Sequence, residues 1–438
     1  MGEKSKAMEA FPLWIIILIV VIVAARITAI LARRFGLSSI SIQLLIGILL
    51  GPSVFNVLGV PMVLGTWGSP SSGPLHSALK ILAEIGLIQL MFLAGLKVDW
   101  RELKKVIKPS FSIGAWEFGL TATGVAILTR LFVGRWPEAL AMSAILSASS
   151  FGISIYYFCE MKILGSRVAV IVSGAALLNG LLAVLLMIGS QAASYGIIYG
   201  PSKMAVAVSW FLAKLIMFFA SAYFVTSRFL KLSSKSGFQK RPRQILIGYL
   251  LLVASLYAWA AMHFGSFAAV GVASLGGALL GASNPGAKEK LAKGFESILA
   301  SIPVAILLVV IGMEVNVKAV QGSTLFLIVL LIVVIGTKLI GCRIAANKEY
   351  SSSREWVFIL FGVLAQGEMG IVIAAYLYSR GVLTPQFFSI AVLVGAGLTM
   401  VSPILMGMVS TRLNKKELDG APSFNGSDQR HRLVSIKE

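Results

Sequence analysis

Acid is scarce in this chain. Asp and Glu together number 18 against 38 Lys and Arg in 438 residues. The only aspartates are Asp99, Asp419 and Asp428, none of them inside an apolar stretch. Cysteine is almost absent: Cys159 and Cys342 stand far apart with no metal-ligand spacing, which argues against a disulfide framework or a zinc site. The three histidines, His76, His263 and His431, are isolated. No His-Glu-x-x-His and no Gly-rich phosphate loop ending in Lys-Ser/Thr occurs, so metalloprotease and nucleotide-driven chemistry find no motif, and no cofactor is implied. Charged residues of all kinds reach only 13%, against 57% hydrophobic residues and a mean hydropathy of +0.89. Those values lie outside the range of water-soluble domains and make lipid the solvent of an all-α polytopic membrane protein.

A helix needs about 20 residues to cross the hydrocarbon core, and on that measure the chain divides into thirteen spans. They fall near residues 11–31, 40–57, 77–96, 111–132, 140–158, 168–189, 204–225, 245–263, 266–281, 298–315, 324–345, 356–379 and 387–408. The first is longer than a signal-peptide core and lacks a small-residue cleavage pattern before Arg33-Arg34, so it is expected to remain as a span. The net charge of +20 would elsewhere suggest nucleic acid, but the basic residues sit mostly in short loops. Loops after odd-numbered spans, with the tail, carry 27 Lys and Arg against seven on the other side. By the positive-inside rule the N-terminus lies outside and the C-terminus in the cytoplasm.

Two spans are interrupted by polar, flexible runs at mid-membrane: Ser147-Ala-Ser-Ser-Phe-Gly152 in the fifth and Ala365-Gln-Gly-Glu-Met-Gly370 in the twelfth. Unsatisfied backbone in lipid costs several kcal/mol per group, so such runs persist only where protein or a wet cavity surrounds them, as in transporters with broken helices. The two breaks lie an odd number of spans apart, so their helices cross in opposite directions. That spacing predicts inverted repeats: residues 1–225 as a first half with a linker helix, 226–244 as a basic cytoplasmic linker, 245–411 as a second, inverted half, and 412–438 as a tail. Residues 288–297 are amphipathic and expected to lie along the cytoplasmic surface.

The runs Leu44-Leu-Ile-Gly-Ile-Leu-Leu-Gly-Pro52, Leu82-Ala-Glu-Ile-Gly86, Phe92-Leu-Ala-Gly-Leu96, Gly312-Met-Glu-Val315, Lys338-Leu-Ile-Gly341 and Gly367-Glu-Met-Gly370 resemble the monovalent cation:proton antiporter-2 family in order, from about residue 15 to 408. The resemblance implies the Na+/H+ antiporter fold of about thirteen helices with two broken, crossed ones. It also implies a secondary active transporter working as a homodimer in the lipid bilayer of a bacterial or archaeal inner membrane, with a monovalent cation (Na+ or K+) and a proton as its partners and no nucleic acid. In that family an aspartate in the sixth helix binds cation and proton alternately. Its place in Gly174-Ala-Ala-Leu-Leu-Asn-Gly-Leu181 is held here by Asn179 and Gly180.

The search for the missing charge singles out few residues. Glu84, Glu117 and Glu368 are the glutamates well inside spans. Glu368, in the twelfth-span break, is a proton-carrier candidate and a possible counter-ion for Lys338, which by resemblance has lost its usual partner. Glu117, in the fourth span, is either the relocated charge or an acid that reaches water or a neighbouring arginine near the cytoplasmic end. Asn179, Ser147, Ser149 and Ser150 offer neutral oxygen ligands, and Gly180 is expected to leave a vacancy. Two other readings remain open: a transport-inactive sensor or scaffold, and a carrier of a non-cation solute such as an organic anion, which an unpaired Lys338 would suit.

Overall fold

A computed structural model describes residues 39–56, 74–97, 100–161, 163–203, 303–346 and 353–410, with scattered positions in the first and seventh apolar segments. The expected spans 11–31, 204–225, 245–263 and 266–281, the linker 226–244, the amphipathic stretch 288–297 and the tail 412–438 lie wholly or mostly outside those residues. Every regular element among the described residues is helical. Among the described residues, six helical segments are long and apolar enough to cross a membrane: Ile107–Val133, Trp136–Glu160, Arg167–Tyr199, Thr324–Ala346, Glu355–Ser379 and Pro385–Val409.

Three helices form one group: α1 (Ser39–Leu50), α2 (Pro74–Lys97) and, much later in the chain, α8 (Pro303–Met313). With no apolar driving force between helices in lipid, close backbone approach at small residues holds such a group together. Gly47 and Gly312 meet face to face: a Cβ on Gly47 would lie 2.8 Å from Gly312 Cα and against Val309 O, and one on Gly312 would meet Gly47 Cα at 2.8 Å. One turn on, a Cβ on Gly51 would lie 2.9 Å from Met313 Cα. The contact is sealed at its end by Ser53, whose hydroxyl donates to Val315 O at 2.7 Å and accepts from Val317 N at 3.1 Å.

The remaining long helices form the second group. A six-residue helix, α3 (Trp100–Lys105), leads into α4 (Ile107–Val133), which stops at Gly134 in the left-handed region (φ 77°) with its N–H returned to Arg130 O. Pro137 then starts α5 (Trp136–Ser147) in the first turn, where its missing N–H costs nothing. After the break, α6 (Phe151–Glu160) begins with Ser150 as N-cap, its hydroxyl accepting from Ile153 N at 3.1 Å. The 33-residue α7 (Arg167–Tyr199) is capped likewise by Ser166. The second broken span is α10 (Ser353–Leu364) and α11 (Gly367–Ser379), flanked by α9 (Thr324–Ala346) and α12 (Pro385–Ser410). Packing joins α4 to α9, α5 and α7, and α12 to both halves of the second broken span.

The two breaks meet, and each supplies what the other lacks. Ser150 N donates to Ala365 O at 2.7 Å and Ser149 Oγ to Val363 O at 2.9 Å, while Ser154 Oγ, whose proton goes to Ser150 O at 2.6 Å, lies 3.3 Å from Gly362 O. In return Gln366 Nε2 donates to Leu146 O, a carbonyl freed at the end of α5. Thr399 on α12 accepts from Gln366 N at 3.2 Å and Gly367 N at 2.7 Å. The backbone groups that lipid could not satisfy are thereby paired within the protein. Gly367, at φ 31°, is required where the chains touch, because a side chain there would strike Ile153 Cδ1 and Ser150 Oγ.

The seam between α1 and α8 generates a test. Gly47→Leu must push two backbones apart and should lower unfolding stability by about 1–3 kcal/mol, the usual range for overpacking. A thermal melt in detergent should show the drop, and an unchanged melt would contradict the close approach.

Candidate functional site

Beside the meeting breaks, four polar side chains converge from four segments. Glu117 comes from α4, Ser149 from the first break, Asn179 from α7 and Lys338 from α9. All are essentially inaccessible, at 0% exposure for Glu117, Asn179 and Lys338 and 1% for Ser149. Lys338 Nζ donates to Glu117 Oε1, and Asn179 Nδ2 donates to Glu117 Oε2, so both carboxylate oxygens are engaged from opposite sides. Ser149 Oγ accepts from Asn179 Nδ2 at 3.1 Å and from Lys338 Nζ at 3.4 Å, while its own proton goes to Val363 O. Val363 O, freed by the second break, also lies 3.4 Å from Lys338 Nζ.

Local sequence explains how helices come close enough for this. Gly341, one turn beyond Lys338 on α9, abuts the α4 backbone: a Cβ there would stand 2.6 Å from Glu117 Cα. Gly114, one turn before Glu117, faces Asn179, whose Oδ1 would be 3.1 Å from a Cβ at that position. One turn further along, Thr337 donates to Thr121 at 3.2 Å. Glycine, acid and threonine at positions 114, 117 and 121 therefore share one face of α4.

The structure changes several expectations. Glu117 does not reach water or an arginine; it is buried against Lys338 and Asn179 because α4 presents that face to α7 and α9. Lys338 has a counter-ion in Glu117. Glu368 stands in the first turn of α11, and its side chain lies outside the described residues. Asn179 turns its amide N–H groups toward the site, and its Oδ1 has no hydrogen-bond partner among the described residues, so it holds the carboxylate and does not offer its carbonyl oxygen. The vacancy expected at Gly180 is lined by Met369, whose methyl carbon would be 3.3 Å from an added Cβ. Ser147 and Ser150 serve the backbone: Ser147 Oγ donates to Ser143 O at 2.6 Å and Ser150 caps α6. The carbonyl of Val363 was not singled out from the sequence. A carbonyl just before the Ala365-Gln366 break loses its helical partner, and that signal could have found it.

A buried carboxylate–ammonium pair at the contact of two interrupted membrane helices defines an integral membrane protein built to hold charge inside lipid. The pattern of the family described as sodium/hydrogen exchanger, transmembrane, matches residues 17–411, and the chain belongs to that family. It is 25% identical over 400 residues to the Na+/H+ antiporter of Enterococcus hirae, covering 89% of this chain and 96% of the relative. It is 24% identical over 386 residues to the Na+/H+-K+ antiporter GerN of Bacillus cereus, covering 88% and 93%. Its fold is similar to that of the sodium proton antiporter MjNhaP1 of Methanocaldococcus jannaschii, with a TM-score of 0.65 at 16% identity over 93% of this chain and 99% of the other.

Removing one member of a buried ion pair leaves the other charge uncompensated, at a cost of about 3–5 kcal/mol. Glu117→Gln and Lys338→Met should each lower the melting temperature in detergent, and the double substitution should recover most of the loss. Additive losses in the double variant would show that the two residues are not coupled.

Proposed function

We propose that this protein is a secondary active transporter that exchanges a monovalent cation for a proton, with Glu117 as the group that holds each in turn. The observation that carries the proposal is the Glu117–Lys338 pair itself. It is a fully buried carboxylate and ammonium, held by Asn179 and Ser149, at the point where two broken helices meet. The antiport named for the relatives from Enterococcus hirae and Bacillus cereus supports the same reading. In the form described here the carboxylate is spoken for by lysine. An arriving cation displaces the ammonium from Glu117 Oε1 and takes the adjacent oxygens of Ser149 and Val363. A proton arriving instead neutralises Glu117 and releases the cation. Because one carboxylate serves cation, proton and the Lys338 ammonium, no two of them hold it together, and that exclusivity is the coupling.

The wider frame belongs to the same proposal. Thirteen spans form two inverted halves, residues 1–225 and 245–411, joined by the basic linker 226–244, with the N-terminus outside and the tail 412–438 in the cytoplasm. The helices around the site move as a body to expose it to either side, and the protein acts as a homodimer. The organic-anion reading loses its motive, since it needed Lys338 unpaired, and Lys338 is paired.

In proteoliposomes with a trapped pH dye, wild-type protein should move protons when Na+ or K+ is added outside. Glu117→Gln should abolish that movement and Glu117→Asp should keep part of it. Gly180→Asp placed on the Glu117→Gln background should restore some exchange, since only the end of Met369 must give way. Full activity in Glu117→Gln would sink the assignment of the carrier, and silence of the wild type with every ion would sink the exchange reading.

A further inference from the structure

We infer that the site selects large, weakly hydrated monovalent cations, the class of K+, Rb+ and NH4+, over Na+ and Li+. The inference rests on the exchange reading above and concerns which ions the same oxygens accept. Its first support is what already sits there. The ammonium of Lys338 is bound by Glu117 Oε1, Ser149 Oγ and Val363 O, three oxygens from three separate segments. A primary ammonium is chemically an ammonium ion with one N–H replaced by carbon. A seat shaped for it by three acceptors is therefore shaped for NH4+ and for metal ions of similar radius. Two of the three oxygens stand 3.4 Å from the nitrogen, and they would have to move inward further for a small ion than for a large one.

The second support is that they are held back. Ser149 is tied by its own proton to Val363 O at 2.9 Å, so these two ligands constrain each other. Val363 O belongs to the end of α10, next to Ala365 O, which is fixed to Ser150 N at 2.7 Å. Glu117 rides on backbone that touches Gly341, so α4 cannot slide toward α9. A seat of this kind does not contract cheaply around a smaller cation.

The third support is field strength. A small ion is costlier to strip of water than a large one and needs a stronger ligand field close by to replace that water. Selectivity between ions follows from cavity size and from the number and strength of the ligands. Among the described residues one carboxylate faces the seat, and its second oxygen is already occupied by the amide of Asn179. The other two ligands are a hydroxyl and a carbonyl. Such a weak field compensates the dehydration of a large ion better than that of a small one.

The decisive comparison is half-saturating concentration in proteoliposomes for LiCl, NaCl, KCl and RbCl at matched ionic strength, read by a trapped pH dye. K+ and Rb+ should drive proton movement at lower concentrations than Na+ and Li+. Asn179→Asp, which places a second carboxylate beside Glu117, should shift the order toward Na+ and Li+. Should that variant fail to fold, wild-type protein in detergent supplies a second readout. KCl, RbCl and NH4Cl should raise its melting temperature more than NaCl or LiCl at equal concentration. Na+ or Li+ leading in both assays overturns this inference while leaving the exchange reading intact. Proton movement with no ion overturns the exchange reading and this inference with it.

Discussion

A carboxylate placed in lipid must find a cation or lose its charge, and the arrangement of this protein's described helices follows from how Glu117 meets that demand. Its partner Lys338 lies more than two hundred residues further along the chain, so the pair fixes α4 against α9 across the length of the sequence. Two glycines make the approach possible, Gly341 on one side and Gly114 on the other. Neither charge is worth burying for stability alone, since an apolar pair of similar volume would serve as well or better. Under the exchange proposed above, the buried pair has a reason that stability does not supply, because exchange needs a group that can change its ligand.

The broken helices serve the pair. Each break frees carbonyls and N–H groups in a place without water, and the two breaks satisfy one another through Ser150, Gln366 and Thr399. What remains is one carbonyl, Val363 O, and one hydroxyl, Ser149, directed at the ammonium. The same irregular backbone that would be intolerable against lipid thus supplies acceptors to the Lys338 ammonium once enclosed.

Much of this was legible in the sequence. Hydropathy showed the membrane class, the runs at 147–152 and 365–370 marked both breaks, and the acid census showed that the usual place in the sixth span was empty. Lys338 and Glu117 were both on the short list. What periodicity could not say was which faces meet. Glu117 lies only ten residues into its helix, and by position alone it could as well have reached toward the cytoplasmic surface. Its burial depends on α7 and α9 closing over it, which is a tertiary fact. The turn of Asn179 was equally hidden, because an amide can present either its oxygen or its nitrogen and only its neighbours decide. The glycine and threonine that flank Glu117 on its own face, Gly114 and Thr121, with Thr337 and Gly341 flanking Lys338, were not singled out in the sequence, although small residues at such spacing are a signal of close helix contact.

The central claim is that the negative charge absent from α7 resides on Glu117 and is the group at which cation and proton compete. Proton release on cation binding tests it most directly. Wild-type protein in detergent, in weakly buffered solution with a pH indicator, should release protons when KCl is added near the pH at which binding is half-maximal, and Glu117→Gln should release none. Equal proton release from Glu117→Gln would contradict the account and place the coupling group elsewhere.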